Sequence, residues 1–412
     1  MNPRVETFSR RNWWLHVLEG GLYIGGMGFI SNQTVAPVLV RETGGPDWLV
    51  AATPVMTFVG FSLAPILTAH RIDRLPRFMP VLLVTGIIQR LPLLAAAILL
   101  WWLGRREATP WIIAGTPLVA GFLGGLTLTA WQQLFAKTVP AEQRSACFAA
   151  RFIITSLIGL GAGLGVEAIL HHNPGVSGYA LLHLCAFIGA ALSYVLFTRL
   201  REGEASPVTD DHATRGFTAN LASAHDLIIA DKRLGLLLVT LVLGMAQFLV
   251  TGFLVVHARQ VLDAPESYTG VLTTASMAGG LLANIVAMLW GDAVGAGRLL
   301  VASRLLFVVG FVTLPFLAGD WAFRIILAVW NAGYFLNHVA IGTLSLDLLP
   351  PERRATTLAI IGLVQVPGML GFSLLGSWLW SRVPFPLMCG LGAVIMLAAL
   401  VVAWPLRSVG KR

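Results

Sequence analysis

Arg199-Leu200-Arg201-Glu202-Gly203-Glu204, followed by Ser206-Pro207-Val208-Thr209-Asp210-Asp211-His212-Ala213-Thr214-Arg215-Gly216, opens the longest run of this chain without a membrane-length apolar block. Charge, turn formers and little apolar content make it a linker or a solvated loop. Between Phe217 and Lys232, Leu221, Leu227, Ile228 and Ile229 are interleaved with His225, Asp226, Asp231 and Lys232. That pattern suggests a short amphipathic helix, lying either along a membrane surface or in the cytosol. The rest of the sequence is arranged on either side of residues 199–233, and there it is mostly apolar.

Hydrophobic residues make up 56% of the 412 residues and charged residues 12%, against about 25% charged in soluble domains. Mean hydropathy is +0.78. The chain therefore reads as an integral membrane protein. A net charge of +8 would raise the question of nucleic acid in a soluble protein, but here the basic residues sit in short loops between apolar blocks, where membrane topology explains them. No nucleic-acid partner is expected. Cys147, Cys185 and Cys389 are odd in number and far apart, with neither disulfide nor metal spacing. Arg4, Arg10 and Arg11 precede an apolar stretch that contains Glu19 and no small-residue cleavage site, so an uncleaved first span is expected.

A bilayer crossing needs about 20 mostly apolar residues. That length marks twelve blocks: 13–31, 48–69, 79–102, 110–136, 149–170 and 179–198 before the linker, then 234–256, 268–290, 299–318, 321–345, 357–380 and 384–405. The expected fold is all-α, with a first six-helix bundle in 1–198, a cytoplasmic linker in 199–233 and a second six-helix bundle in 234–412. With both termini cytoplasmic, that side holds twenty of the 28 Lys and Arg, the opposite loops hold five, and Arg90, Arg304 and Arg324 lie inside blocks. The bias predicts a multi-pass protein of the inner (plasma) membrane with both ends inside. Most of the thirteen tryptophans fall near block ends, where an amphipathic ring suits the headgroup region.

The halves repeat. Val139-Pro140-Ala141-Glu142-Gln143-Arg144-Ser145 follows the fourth block, and Leu349-Pro350-Pro351-Glu352-Arg353-Arg354-Ala355 follows the tenth. Asp73-Arg74-Leu75-Pro76-Arg77 follows the second block, and Gly291-Asp292 with Arg298 follows the eighth. Two six-span halves in parallel repeat, joined by a long linker, are the layout of an alternating-access carrier. On these residues the whole chain resembles the major facilitator superfamily of secondary transporters. That family carries Gly-x-x-x-Asp-Arg-x-Gly-Arg after its second span; here Asp73, Arg74 and Arg77 match, while Ala69 and Pro76 stand where the glycines would be. The resemblance implies a cytoplasmic latch between the halves, with Asp73, Arg74, Arg77, Arg144, Asp292, Arg298, Glu352 and Arg354 as candidates. An Asp set against a helix N-terminus of the other half, with arginines pairing in one conformation only, would act in that way. Proton-coupled drug exporters of the family also carry an Arg in the fourth span and a Gly-Pro pair in the fifth, and neither is present here.

Ionisable groups inside a bilayer are costly and mark candidate sites. His16, Glu19 and Tyr23 share one face of the first span. Glu19 is the proton-coupling candidate, with His16 or Arg90 as its expected partner; a purely structural Glu19 is the alternative. Arg90 lies near the midplane, where a structural ion pair is expected and an anchor for a substrate anion is the alternative. Asn331, Tyr334 and His338 share a face of the tenth span with Trp330 and Asn337 adjacent, and Gln247 lies on a polar face of the seventh. In the resembling family the first, fourth, seventh and tenth spans line the cavity, so these residues form the candidate substrate site. Glu167, His171, His172 and His257 read as residues of solvated loops.

The motifs His-Glu-x-x-His, Cys-x-x-Cys and the glycine loops that bind phosphate are missing from the sequence, so no enzyme, metal or cofactor is expected. The expected partners are a small organic solute, the bilayer and protons, acting on a monomer. A cavity with few charges favours a neutral or amphipathic solute, and export is preferred over proton-coupled uptake. A sensor that binds without transporting is left open.

Overall fold

The computed structural model describes residues 3–72, 75–140, 143–203, 230–348 and 354–409, without the side chains of 3–9, 66, 69–71, 145, 292, 345–347 and 354–360. Every regular element among them is helical. Apolar helices satisfy all their backbone groups internally, which hydrocarbon demands. Nine described helices are long and apolar enough to cross a membrane, and Thr109–Gly125 with Leu128–Thr138, bent by 54°, makes a tenth. The stretches Pro3–Glu42 and Asp47–Ile72, where the first and second spans are expected, are each broken into shorter helices.

The first span is longer than its apolar block. Pro3–Gly26 continues as a tight turn of helix over Met27–Ile30, breaks at 31–35, and resumes as Ala36–Glu42. Within the break the N–H groups of Thr34, Val35 and Ala36 all donate to the Ser31 carbonyl. The second span, Asp47–Ala52 to Pro65–Ile72, is interrupted at Thr53–Val55, where Pro54 removes a backbone donor. The seventh span repeats the device of the first, since Lys232–Gly244 passes through Met245–Gln247 into Phe248–Leu262.

The remaining spans are Met79–Leu103, Arg144–His172 and Val176–Phe197 in the first half, then Tyr268–Val294, Ala296–Thr313, Asp320–Leu348, Arg354–Trp380 and Phe385–Ala403 in the second. In the first half the first span packs on the fifth and sixth, the third on the fourth and sixth, and the second on the fourth. The same pairings recur six spans later. Across the halves, fifth meets eighth and second meets eleventh, again an equivalent pair of contacts. Without water to drive helices together, close backbone approach does much of the work. Gly60 lies against the backbone of Leu118 and Phe122, and a Cβ there would meet Phe122 N at 2.5 Å.

The linker starts differently from a free tether. Its first residues are docked on the first half, where Asn12 and Arg201 exchange hydrogen bonds of 3.0 and 3.2 Å. Glu202 accepts from the N–H groups of Phe78 and Met79 at the start of the third span, and pairs with Lys137 at 3.2 Å. A carboxylate there complements the positive end of the helix dipole. The expected amphipathic helix of 217–232 lies outside the described residues, apart from the start of the seventh span.

Candidate functional site

Polar groups gather in two places. The first lies within the first half. Glu19 is 5% exposed and meets Arg151 of the fifth span at 3.6 Å, an ion pair longer than a hydrogen bond. Gly20 makes the room, because a Cβ on it would fall 1.9 Å from the Arg151 guanidinium carbon. That guanidinium also covers the Trp131 ring at 4.8 Å. His16 bonds Thr138 Oγ1 at 2.8 Å and stands edge-on to Phe135. Its Nδ1 and the Glu19 Oε2 have no hydrogen-bond partner among the described residues.

The expected partner of Glu19 is His16 or Arg90; the structure supplies Arg151 instead. Counted from sequence with the cytoplasmic loop, Arg151 is 8% exposed and lies two turns inside the fifth span. Among the described residues Arg90 does not form the expected ion pair. It donates to the carbonyls of Ala190 and Gly86, both at 2.6 Å, and to Ser193 Oγ at 3.3 Å. The rings of Tyr23 and Tyr194 flank it at 5.4 and 5.0 Å. Tyr23 in turn accepts from Gln89 at 2.7 Å.

The second place is a cavity of about 200 Å³ where the second span meets the seventh, tenth and eleventh. It is lined by Phe58 and Ser62 of the first half, and by Gln247, Tyr334, Asn337, His338 and Gln365 of the second, among others. Its size corresponds to roughly seven waters at about 30 Å³ each. No described lining residue is an acid, a lysine or an arginine. The aromatic wall is ordered: Phe58 stacks on His338 at 5.9 Å, and Tyr334 stands against His338 at 4.4 Å. Asn337 Oδ1 is buried without a hydrogen-bond partner among the described residues, and so can accept from a guest.

Of the candidate substrate residues, the structure brings Gln247, Tyr334 and His338 to this cavity. His16, Glu19 and Tyr23 belong to the first cluster. Trp330 turns away, 2% exposed and set edge-on against Phe307 and Phe311 in the core. Asn331 bonds the Ser276 carbonyl of the eighth span at 2.7 Å. Phe58, Ser62, Asn337 and Gln365 were missed as site residues; Asn337 alone had a signal, one residue before His338.

The cavity is closed away from the chain termini. Glu42 pairs with Arg259 at 2.7 Å, Gly175 N donates to Glu266 at 3.1 Å, and Thr34 bonds Thr273 at 2.8 Å. Ser373 donates to the Ala51 carbonyl, and Gly252 lies against the backbone of Val50 and Ala51. Asn284 reaches Ser156 at 3.4 Å nearer the middle. Among the described residues, the hydrogen bonds and ion pairs between halves run from the far loops to about mid-membrane.

Of the latch candidates, Asp73, Arg74 and Glu352 lie outside the described residues, and Asp292 and Arg354 are described by backbone only. Arg77 and Arg298 are exposed. Arg144 donates to the Val139 carbonyl at 3.1 Å and to that of Ala136, closing the end of the fourth span within its own half. His171 and His172 are exposed at the end of the fifth span. His257 departs from the solvated-loop expectation: it is half-buried in the seventh span and stacks on Phe385 at 3.8 Å.

Residues 236–412 match the sequence model of the Major Facilitator Superfamily. No curated protein matches the chain. Among solved structures, a partially occluded inward-open xylose transporter XylE from E. coli superposes with a TM-score of 0.69 at 14% identity, over 97% of this chain and 98% of that one. A POT family transporter in complex with a thioalcohol-conjugated peptide gives 0.68 at 13% identity, over 97% and 96%. A mutant of the nucleoside transporter NupG gives 0.67 at 14% identity, over 96% and 99%. At such identities the likeness is one of fold.

Proposed function

We propose that this chain is a secondary transporter of the major facilitator superfamily, a reading supported by the sequence of its second half and the fold of the whole, and that its cargo is a small uncharged, amphipathic organic solute. The observation that carries this reading is the cavity between the halves, with its amides, phenol, imidazole and stacked rings and no fixed charge among its described lining. A polyanion would need several basic residues there. Phe58 and Tyr334 offer apolar area, while Gln247, Asn337 and Gln365 offer directional hydrogen bonds.

The transport reading is alternating access with export from the cytoplasm, driven by protons. The excess of Lys and Arg in the loops on the side of the termini supports a cytoplasmic placement for both ends. A cavity closed on the other side would then load from within. Glu19 is the proposed proton carrier, with Arg151 as the charge that answers its ionisation. The protein acts as a monomer in this reading, with 1–198 and 234–412 as the rocking halves, and Asp73 belongs to the latch that engages when the cytoplasmic side closes.

The test begins with thermal stabilisation of the purified protein against a solute panel, since a ligand of the folded state raises its apparent stability. Uncharged amphipathic solutes should stabilise, and Gln247→Leu or Tyr334→Phe should weaken the effect. Stabilisation by charged solutes alone would overturn the cargo class. Vesicle flux then separates carrier from sensor, because a sensor binds without translocation. In the same vesicles Glu19→Gln should abolish accumulation driven by a pH gradient and retain solute exchange; intact pH-driven accumulation would move the coupling elsewhere.

A further inference from the structure

On the face opposite the termini, the loop between the first and second spans and the loop between the third and fourth frame a second cavity, of about 430 Å³. Arg105, Arg106, Glu107 and Trp111 are among its walls. Both arginines are exposed. Among the described residues neither pairs with a carboxylate, and the one side-chain bond Arg105 makes is to the Glu42 carbonyl at 2.8 Å. On this face Arg41, Arg259 and Arg324 each pair with a carboxylate, which sets Arg105 and Arg106 apart. The turn that presents them is fixed by Thr109, whose hydroxyl accepts from Arg106 N at 3.0 Å and donates to the Gly104 carbonyl at 2.8 Å.

The surroundings place this cavity at headgroup depth. Trp48 and Trp111 lie 5.4 Å apart beside it, and Trp101 and Trp102 at the end of the third span are 63% and 87% exposed. Exposed tryptophans in such a ring mark the boundary between hydrocarbon and water. We propose that the cavity binds the phosphate of an anionic phospholipid, with Arg105 and Arg106 as donors and the Trp111 ring against the glycerol and upper chain. Arginine's planar fork suits phosphate oxygens. A free phosphate would gain nothing from the ring, and Glu107 leaves the lining with a net single positive charge. The site adjoins the ion pair that closes this face, because the residue whose carbonyl Arg105 holds is Glu42.

Native mass spectrometry of the full-length protein in detergent, with phosphatidylglycerol, phosphatidylcholine or inorganic phosphate added, tests the assignment. Phosphatidylglycerol adducts should survive several-fold better than phosphatidylcholine adducts. They should fall to the phosphatidylcholine level in Arg105→Gln/Arg106→Gln. Arg382→Gln, which removes an arginine stacked on Trp378 elsewhere on this face, should leave them unchanged. Equal adducts in the double variant, or equal loss in Arg382→Gln, would overturn the site. Inorganic phosphate bound with the same arginine dependence would make it a free-anion site and overturn the lipid. Should the double variant fail to fold, Glu107→Gln serves: it should strengthen phosphatidylglycerol retention, and weaker or unchanged retention counts against the proposal.

Discussion

Arg90 and Arg304 occupy corresponding places, each midway along the third span of its half, and the two halves hold them in opposite ways. Arg90 spends three N–H groups on acceptors and lies between two tyrosine rings. Arg304 is 0% exposed and, among the described residues, reaches only Thr240, at 3.4 Å to the hydroxyl and 3.3 Å to the carbonyl, while its Nη1 has no partner there. The Arg304 guanidinium lies over Gly244 of the seventh span as that of Arg151 lies over Gly20 of the first, while Arg90 faces the Tyr23 ring of the first span. The repeat therefore preserves a place for a long cation beside the first span of each half. It does not preserve what the cation is for. The first half has surrounded its arginines with an acid, rings and carbonyls; the second tolerates one that is barely answered and keeps its cavity uncharged.

This contrast can be broken or sharpened by substitution, with unfolding in detergent as the readout. The largest effect should come from Arg151→Met, which strands the buried Glu19 carboxylate; removing one member of a buried pair costs about 3–5 kcal/mol. Adding Glu19→Gln should recover most of the loss, and a double variant no better than the single would mean that Arg151 acts through Trp131 packing. Arg90→Met should cost less, about 2 kcal/mol, the scale of one well-made hydrogen bond from a charged donor. Arg304→Met should lie within about 1 kcal/mol of the parent in either direction, since replacing an ill-paired buried charge by an apolar chain of like length is often neutral or stabilising. If Arg304→Met proves as costly as Arg151→Met, the second half depends on its arginine after all.

Much of the architecture was legible because a bilayer imposes a simple ruler. Length and hydropathy marked the apolar blocks, and the described helices fall on them. Where the sequence misled, local chemistry outweighed hydropathy. The first span runs on to Glu42 because a helix can resume after a turn that pins three N–H groups on one carbonyl, a pattern that apolar content does not encode. Arg151, at the edge of block 149–170, counts from sequence with the cytoplasmic charges because a charge near a block edge looks like an anchor, and the notch left by Gly20 explains its burial. Trp330 and Tyr334 sit four residues apart on one helix, yet one packs in the core and the other faces the cavity. Helical spacing defines a face but not which neighbour that face meets. Phe58 reached the cavity through contact between halves, which no local pattern carries.

The crossing of the fifth and eighth spans has a meaning for how this chain can change over evolutionary time. Gly163 lies against Thr274, where a Cβ would come within 2.3 Å of Oγ1 and 2.7 Å of the backbone nitrogen, and Gly270 lies as close to the backbone of Glu167. Here one half bears on the other through bare backbone. Surfaces of that kind can roll past one another without side chains to disengage, but they have no spare depth. Mutational drift that is harmless on the lipid face would jam the joint here with a single methyl group, so tolerance to substitution should narrow sharply along this one line of the protein.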